Sequence, residues 1–346
     1  MESYETVIVG AGPAGLKCAE TLAKAGKEVL VLEKNEVIGP KVCAGGLTIN
    51  CINSGIPEKI LQRKFKKVKI HTPHEDTEIK LEKPFVATVN RKDLGRWMTK
   101  EAKMQGAEIR TDSLVTKIDK NILTINNEKK IKYKYLVGAD GSNSIVRKHL
   151  KIKKENVLEA FQYITPKKFR DMEVFIDPDR FGPAYLWIFP HKNVTSIGTG
   201  GDLSRKLKKP ILGIKLSQIR KNFDTWCNNH FDTKESQFEA YTINYDYRGH
   251  HFGNKYLIGD AAGFASGLTG EGIYFGIKSG EDVAKTIMDP KYDEPNIKHI
   301  LKTKKIQEKI LRTLEISKTR TCLEYDFLNL FFKIKMVDQK LVKMID

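Results

Sequence analysis

One glycine-rich turn between two apolar runs constrains this chain more than any other feature. Residues 6–9 (TVIV) form a short apolar run of the kind that makes a buried parallel strand. They lead into Gly10-Ala11-Gly12-Pro13-Ala14-Gly15, and a helical pattern (Leu16, Ala19, Leu22, Ala23) then runs to Gly26. A second apolar run, 29–32, stops at Glu33. In such a strand–turn–helix–strand unit Gly10 makes the tight turn and Gly12 lets the backbone approach a pyrophosphate. Gly15 lets the helix pack on the strand, and the helix N-terminus offers N–H groups to the phosphates. Glu33 is spaced to accept hydrogen bonds from a ribose 2′-OH, which argues against a 2′-phosphate there. The unit predicts a dinucleotide site. FAD and NAD both satisfy it, and the glutamate and the position near the N-terminus favour FAD.

The chain has 346 residues, about two domains' worth. No run approaches the roughly 20 apolar residues that span a bilayer. The first residues carry no basic and apolar leader pattern, so a cytoplasmic protein is expected. Five scattered cysteines (Cys18, Cys43, Cys51, Cys227, Cys322) include no C-x-x-C pair. His250-His251 has no nearby carboxylate and reads as a surface turn. No metal site is expected. The formal charge of +17 is compatible with nucleic acid, anionic lipid or an acidic protein partner.

Two later stations complete the pattern. Residues 134–139 (KYLVGA) form a strand-like run ending in Asp140-Gly141-Ser142-Asn143-Ser144, with Arg147 after it. Residues 256–258 form another, ending in Gly259-Asp260-Ala261-Ala262-Gly263, and the chain continues through Gly270-Glu271-Gly272-Ile273 into a helix pattern. Asp260 at a strand end is suited to a ribitol hydroxyl. The 270–273 segment opens a helix whose N–H groups would meet negative charge developing on a reduced flavin.

The fingerprint, GADGSNSIVR and YLIGDAAGFASGLTGEGI resemble the FAD-dependent superfamily that contains the aromatic hydroxylases and the geranylgeranyl reductases. Two segments narrow the likeness to the reductases, which include archaeal digeranylgeranylglycerophospholipid reductases. One is GPKVCAGG, a cysteine followed by glycines. The other is Tyr185-Leu186-Trp187-Ile188-Phe189-Pro190 with Gly198 downstream, matching a Y-x-W-x-F-P signature. The resemblance runs from about residue 4 to about 290. It implies FAD as cofactor, with contacts at Ala14, Glu33, Cys43, Ala44, Gly46, Arg91, Val115, Asp260, Gly272 and Ile273. Gly10, Gly12, Gly15, Asp140 and Gly270 join them from the motifs above. Read from its surroundings alone, Arg91 is a surface charge at a helix start. The sequence departs from the family pattern at Gly267, where relatives usually carry a proline, and in reading Cys-Ala-Gly-Gly for Cys-Gly-x-Gly.

The expected fold is α/β: a Rossmann-like FAD-binding domain (1–60, 85–155, 251–290) interleaved with a β-sheet substrate domain (61–84, 156–250). A C-terminal helical segment (291–346) follows, with a basic, apolar stripe through Phe327, Phe331 and Val337. The expected activity is hydrogenation of C=C bonds in a prenylated lipid or prenyl diphosphate, in a cavity between the two domains. Cys43 is one candidate for the catalytic proton donor, because a thiol is neutral at physiological pH and can be buried without the cost of a charge; positioning of the substrate is the other role open to it. Tyr185, Trp187 and Phe189 alternate on one strand face as a substrate wall, their π faces suited to developing positive charge. Rival expectations are a flavin monooxygenase of an aromatic substrate and a non-catalytic or electron-carrying flavoprotein. Basic segments at 59–69, 129–134, 148–154 and 205–209 come without a nucleic-acid module, so nucleic acid drops out. Anionic membrane, an acidic electron donor such as ferredoxin, or NAD(P)H remain as expected partners.

Overall fold

The computed structural model describes residues 1–203 and 214–314. The basic stretch 205–209, Cys322 and the apolar stripe of 327–337 lie outside the described residues. Two compact units interleave along the chain.

The first unit comprises Met1–Lys41, Arg91–Glu155 and Ile243–Lys304. Five parallel strands form its centre, in the order Lys255–Leu257, Lys129–Gly138, Glu2–Val9, Val29–Leu32 and Glu108–Arg110. His251–Phe252 adds an antiparallel edge strand. A hairpin of Val115–Asp119 and Ile122–Ile125 pairs antiparallel with the first half of Lys129–Gly138. Consecutive residues Val7-Ile8, Leu30-Val31 and Leu136-Val137 are wholly buried, so both faces of the sheet are covered. That is why these strands read as unbroken apolar runs instead of alternating ones. Helix Pro13–Lys24 packs against helices Ile273–Met288 and Arg91–Met104. The first contact is backbone-close: a Cβ at Gly280 would stand 2.3 Å from the Ala14 carbonyl oxygen. Asp282, wholly buried, turns the chain into helix Pro295–Leu314 by accepting from Ile297 N (2.9 Å), Asn296 Nδ2 (2.6 Å) and Tyr292 Oη (3.2 Å).

The second unit comprises Val42–Asn90 and Asn156–Thr242, with the described residues after 304. Its seven-stranded sheet runs Gln237–Asn244, Val157–Thr165, Thr195–Asp202, Leu186–Pro190, Met172–Phe175, Lys67–His71, Asp76–Lys80. Helix Leu216–His230 covers one face, where Leu186, Ile188, Ile197 and Phe161 pack with Ile219, Phe223 and Trp226. Each such side chain, fully buried, stabilises the unit by roughly 1.5–3 kcal/mol before entropy is charged. Residues 42–60 and 85–90 cluster here, because the short strand Gly46–Thr48 pairs with Val86–Val89, which pairs in turn with Leu61–Phe65. Among the described residues no helix is long and apolar enough to cross a membrane.

Candidate functional site

In the first unit the glycine turn has the form that its sequence requires. Gly10 adopts φ +103°, and a Cβ there would lie 2.5 Å from the Ala139 carbonyl oxygen. At Gly15 a Cβ would stand 2.1 Å from Gly10 O, so only glycine lets this helix start so near the strand. Gly12 differs: nothing lies within 4 Å of where its Cβ would point. It is the N-cap of helix Pro13–Lys24, with no side-chain cap and no acidic residue in the first turn. No side chain therefore competes for the first N–H groups of the helix, and open space borders the Gly12 Cα. Glu33 is buried and braces that turn, its Oε2 accepting from Ala11 N (2.9 Å) and its Oε1 from Asn35 N (3.0 Å). Two residues before Val115, Ser113 N donates to the Glu33 carbonyl at 2.8 Å, which brings that strand alongside.

The second and third stations meet on Asp260. Its Oδ2 accepts from Lys41 Nζ (2.9 Å) and from Ser142 Oγ (3.5 Å), and its backbone carbonyl accepts from Asn244 Nδ2 (2.7 Å). A Cβ at Gly272 would stand 3.1 Å from Asp260 Oδ1, so the aspartate faces the start of helix Ile273–Met288. That helix too begins on a glycine N-cap, with no side-chain cap. Ser266 shapes the preceding loop, its Oγ accepting from Leu268 N and Thr269 N at 3.2 and 3.0 Å. The Tyr245 ring accounts for the glycine at 267: a Cβ there would lie 2.7 Å from Tyr245 Cδ2. Buried Arg147 joins the stations, donating to Ala261 O (3.2 Å), Lys153 O (2.9 Å) and Asp246 O (2.8 Å). Burial pulls its guanidinium below the usual arginine range.

Two expected contacts look different in three dimensions. Asp140 is half-buried, and its Oδ2 accepts from Ile145 N at 2.6 Å, opening the short helix Ile145–His149. Burial raises its pKa, with hydrogen bonds to Ser144 and nearby backbone opposing the rise, and its Oδ1 is buried without a hydrogen bond. Arg91 begins helix Arg91–Met104, but its Nε is buried and carries no hydrogen bond, which an ordinary surface charge would not show. His250 also departs from a surface turn. It is half-buried, with Nε2 3.0 Å from Glu294 Oε2 and Nδ1 2.8 Å from Tyr247 Oη.

In the second unit Trp187 and Phe189 project from strand Leu186–Pro190 on the face opposite Leu186 and Ile188, and Tyr185 stands just before the strand. All three are half-buried and meet in series, with ring centroids 6.2 Å apart for Tyr185–Trp187 and 6.3 Å for Trp187–Phe189. Register puts Gln162, Gly198 and Trp187 in one cross-strand row. The indole lies over Gly198, where a Cβ would stand 2.3 Å from Trp187 Cζ2. The Cys43 loop belongs to the same unit. Gly45 N donates to Cys43 Sγ (3.4 Å), His191 Nε2 donates to Ala44 O (2.9 Å), and Val89 N donates to Gly45 O (2.9 Å). The Phe189 ring packs on Gly46, 2.7 Å from the position a Cβ would take. Burial lowers the His191 pKa, against the opposing pull of the Ala44 carbonyl.

The first unit thus offers two helix N-termini capped only by glycine, an open cradle at Gly12, a ribose-type carboxylate and a buried arginine nitrogen without a partner. This donor set fits a dinucleotide. The FAD binding domain family model matches residues 3–205. The chain belongs to that FAD-binding family. It is 29% identical over 318 residues to a geranylgeranyl diphosphate reductase of Rhodobacter capsulatus, covering 82% of this chain and 75% of that protein. It is also 29% identical over 336 residues to digeranylgeranylglycerophospholipid reductase 3 of Methanosphaera stadtmanae, covering 86% and 81%. Among solved structures, a geranylgeranyl bacteriochlorophyll reductase-like protein of Thermoplasma acidophilum shares the fold. Its TM-score is 0.80 at 21% identity, covering all of this chain and 96% of that one. This member of the FAD-binding family is an FAD-dependent oxidoreductase related to the geranylgeranyl reductases. Sequence reasoning missed Lys41, Ser142 and Asn244 around Asp260, and Gln162 and His191 around the cysteine loop. The one local signal was a lysine two residues before Cys43.

Proposed function

We propose that this flavoprotein hydrogenates isolated C=C bonds of a prenyl chain, carried on a lipid or on a diphosphate. The observation that carries the proposal is the aromatic face of the second unit: Tyr185, Trp187 and Phe189 in series, over a strand opened by Gly198, in the same unit as the Cys43 loop. A prenyl chain is apolar along its length, and such a face suits it. The names of the two reductase relatives support the same substrate class.

Bound FAD, once reduced, supplies the hydride. Ala14 and Gly15 N–H groups would hold its pyrophosphate, Glu33 a ribose, Asp260 the ribitol, and Gly272 and Ile273 the ring edge that gains charge. An isolated alkene has no carbonyl to polarise it, so a proton must reach one carbon as hydride reaches the other. Cys43 is the proposed proton donor, and solvent reprotonates the thiolate. The indole of Trp187 and the phenol ring of Tyr185 would stabilise cationic character on the chain. The charge of +17 supports an acidic electron donor or anionic lipid headgroups at the surface of a cytoplasmic protein, with NAD(P)H the alternative source of electrons.

A single-turnover experiment tests the proposal. The holoenzyme is reduced with dithionite without oxygen, the excess is removed, and a geranylgeranyl lipid is added. Return of the oxidised flavin absorbance is expected, and a spectrum that stays reduced would contradict it.

A further inference from the structure

We propose that Gln162 is a positioning residue that ties the Cys43 loop to the aromatic strand and so sets where the thiol stands. The proposal rests on the reading that Cys43 and the aromatic face serve one reaction. It is carried by a hydrogen-bond chain that runs through the buried pair Ser196 and Gln162 and whose every direction is forced. Trp187 Nε1 can only donate, and it donates to Ser196 Oγ at 2.9 Å. Ser196, wholly buried, passes its own proton to Gln162 Oε1 at 2.8 Å. That fixes which end of the Gln162 amide points where. Its Nε2 then donates to two acceptors, Glu239 Oε2 at 2.8 Å and the Cys43 carbonyl at 3.4 Å. Gln162 itself is 2% exposed, so water does not replace these partners readily.

The register explains why a glutamine suits this position. Gln162 and Trp187 flank Gly198 in one row, and the bare glycine lets the indole lie across toward the amide. A carbonyl is needed on the serine side and a donor on the cysteine side, within one side chain. Glutamate offers the first but not the second, and methionine offers neither. A movement of the aromatic wall is therefore transmitted to the loop through three side chains.

The experiment uses FAD-loaded protein and two readouts: turnover on a geranylgeranyl lipid, and the rate at which iodoacetamide alkylates Cys43, followed by peptide mass spectrometry. In Gln162→Met the Cys43 alkylation rate should change several-fold, and kcat should fall by about tenfold or more while FAD content holds. In Gln162→Glu, acceptors face the Glu239 carboxylate and the Cys43 carbonyl. Its loss should ease as pH falls and the new carboxyl regains a proton to donate. The exchange Gln162→Glu with Glu239→Gln restores a donor–acceptor pair between the two side chains but leaves the Cys43 carbonyl without its donor. Thermal stability should return, while alkylation and kcat stay altered. Recovery of alkylation and kcat in the exchange variant, or wild-type alkylation in Gln162→Met, would overturn the tie. Alkylation reports on the loop whatever the substrate, so a wild-type protein inactive on prenyl lipid would fail the functional proposal and leave the tie judged by labelling.

Discussion

Lys41 Nζ lies 2.9 Å from Asp260 Oδ2, across 219 residues of sequence. The carboxylate proposed to hold the cofactor's ribitol therefore carries a counter-charge, and the lysine brings a positive charge to the proposed cofactor site. Removing the carboxylate in Asp260→Ala should weaken FAD binding by about 1.5–3 kcal/mol, the worth of a hydrogen bond to a charged group. Lys41→Met should weaken binding less and flatten its salt dependence, because a screened attraction has been deleted. Titration of apoprotein with FAD at low and high salt separates the two, and a Lys41→Met affinity equal to wild type at both would remove the lysine from the site.

The glycines at 12 and 15 should fail in different ways. A methyl at Gly12 points into open space, so Gly12→Ala should leave the apoprotein's melting temperature nearly unchanged while FAD occupancy falls. A methyl at Gly15 would meet Gly10 O at 2.1 Å, so Gly15→Ala should destabilise the fold itself, with or without cofactor. Thermal melts alongside bound-flavin absorbance distinguish them. Full flavin occupancy in Gly12→Ala would mean that the turn does not receive the pyrophosphate.

Cys43→Ala should cut prenyl turnover by roughly 10²-fold or more, the usual contribution of a placed proton donor. Cys43→Ser keeps a hydroxyl donor and should retain part of that activity. Equal rates in all three proteins would exclude the thiol from proton transfer.

His71 provides a pH-dependent element of stability. Its pKa is raised, first by the hydrogen bond to Glu173 and then by Asp76, with burial opposing. The ring bonds Glu173 Oε2 at 2.9 Å and Asp76 Oδ1 at 2.8 Å, and stacks on Phe175 at 4.2 Å. A group whose folded pKa exceeds its unfolded one stabilises fully below the unfolded value of about 6.5 and loses that contribution as pH rises through the folded value. His71→Gln should therefore lower the stability, read from melting curves, by an amount on the order of 0.5–1 kcal/mol below pH 6, and by much less at pH 9. A deficit of the same size at both ends would show that stacking on Phe175, not charge, is what the histidine contributes.

The half of the fold proposed to bind the cofactor was legible as a fold because each of its signals is local. A buried parallel strand is a continuous apolar run, and Gly10, Gly12 and Gly15 fall at fixed offsets from it. Glu33, Asp260 and Gly272 sit at strand ends or helix starts that the sequence marks directly. Lys41 and Gln162 were illegible for one shared reason: their contacts arise from pairing between distant strands and loops. Gln162 in an alternating strand looks like any inward polar residue until register sets it beside Gly198 and Trp187. His250 was misread likewise, because the carboxylate it meets, Glu294, comes 44 residues later, after an entire helix.

Product mass tests prenyl reduction most directly. FAD-loaded protein, reduced chemically without oxygen, is incubated with a geranylgeranyl lipid, and the lipid is extracted for mass spectrometry. Prenyl reduction predicts a gain of two hydrogens for each double bond saturated, abolished or strongly reduced in Cys43→Ala. A lipid recovered at its starting mass from fully flavin-loaded protein would contradict it.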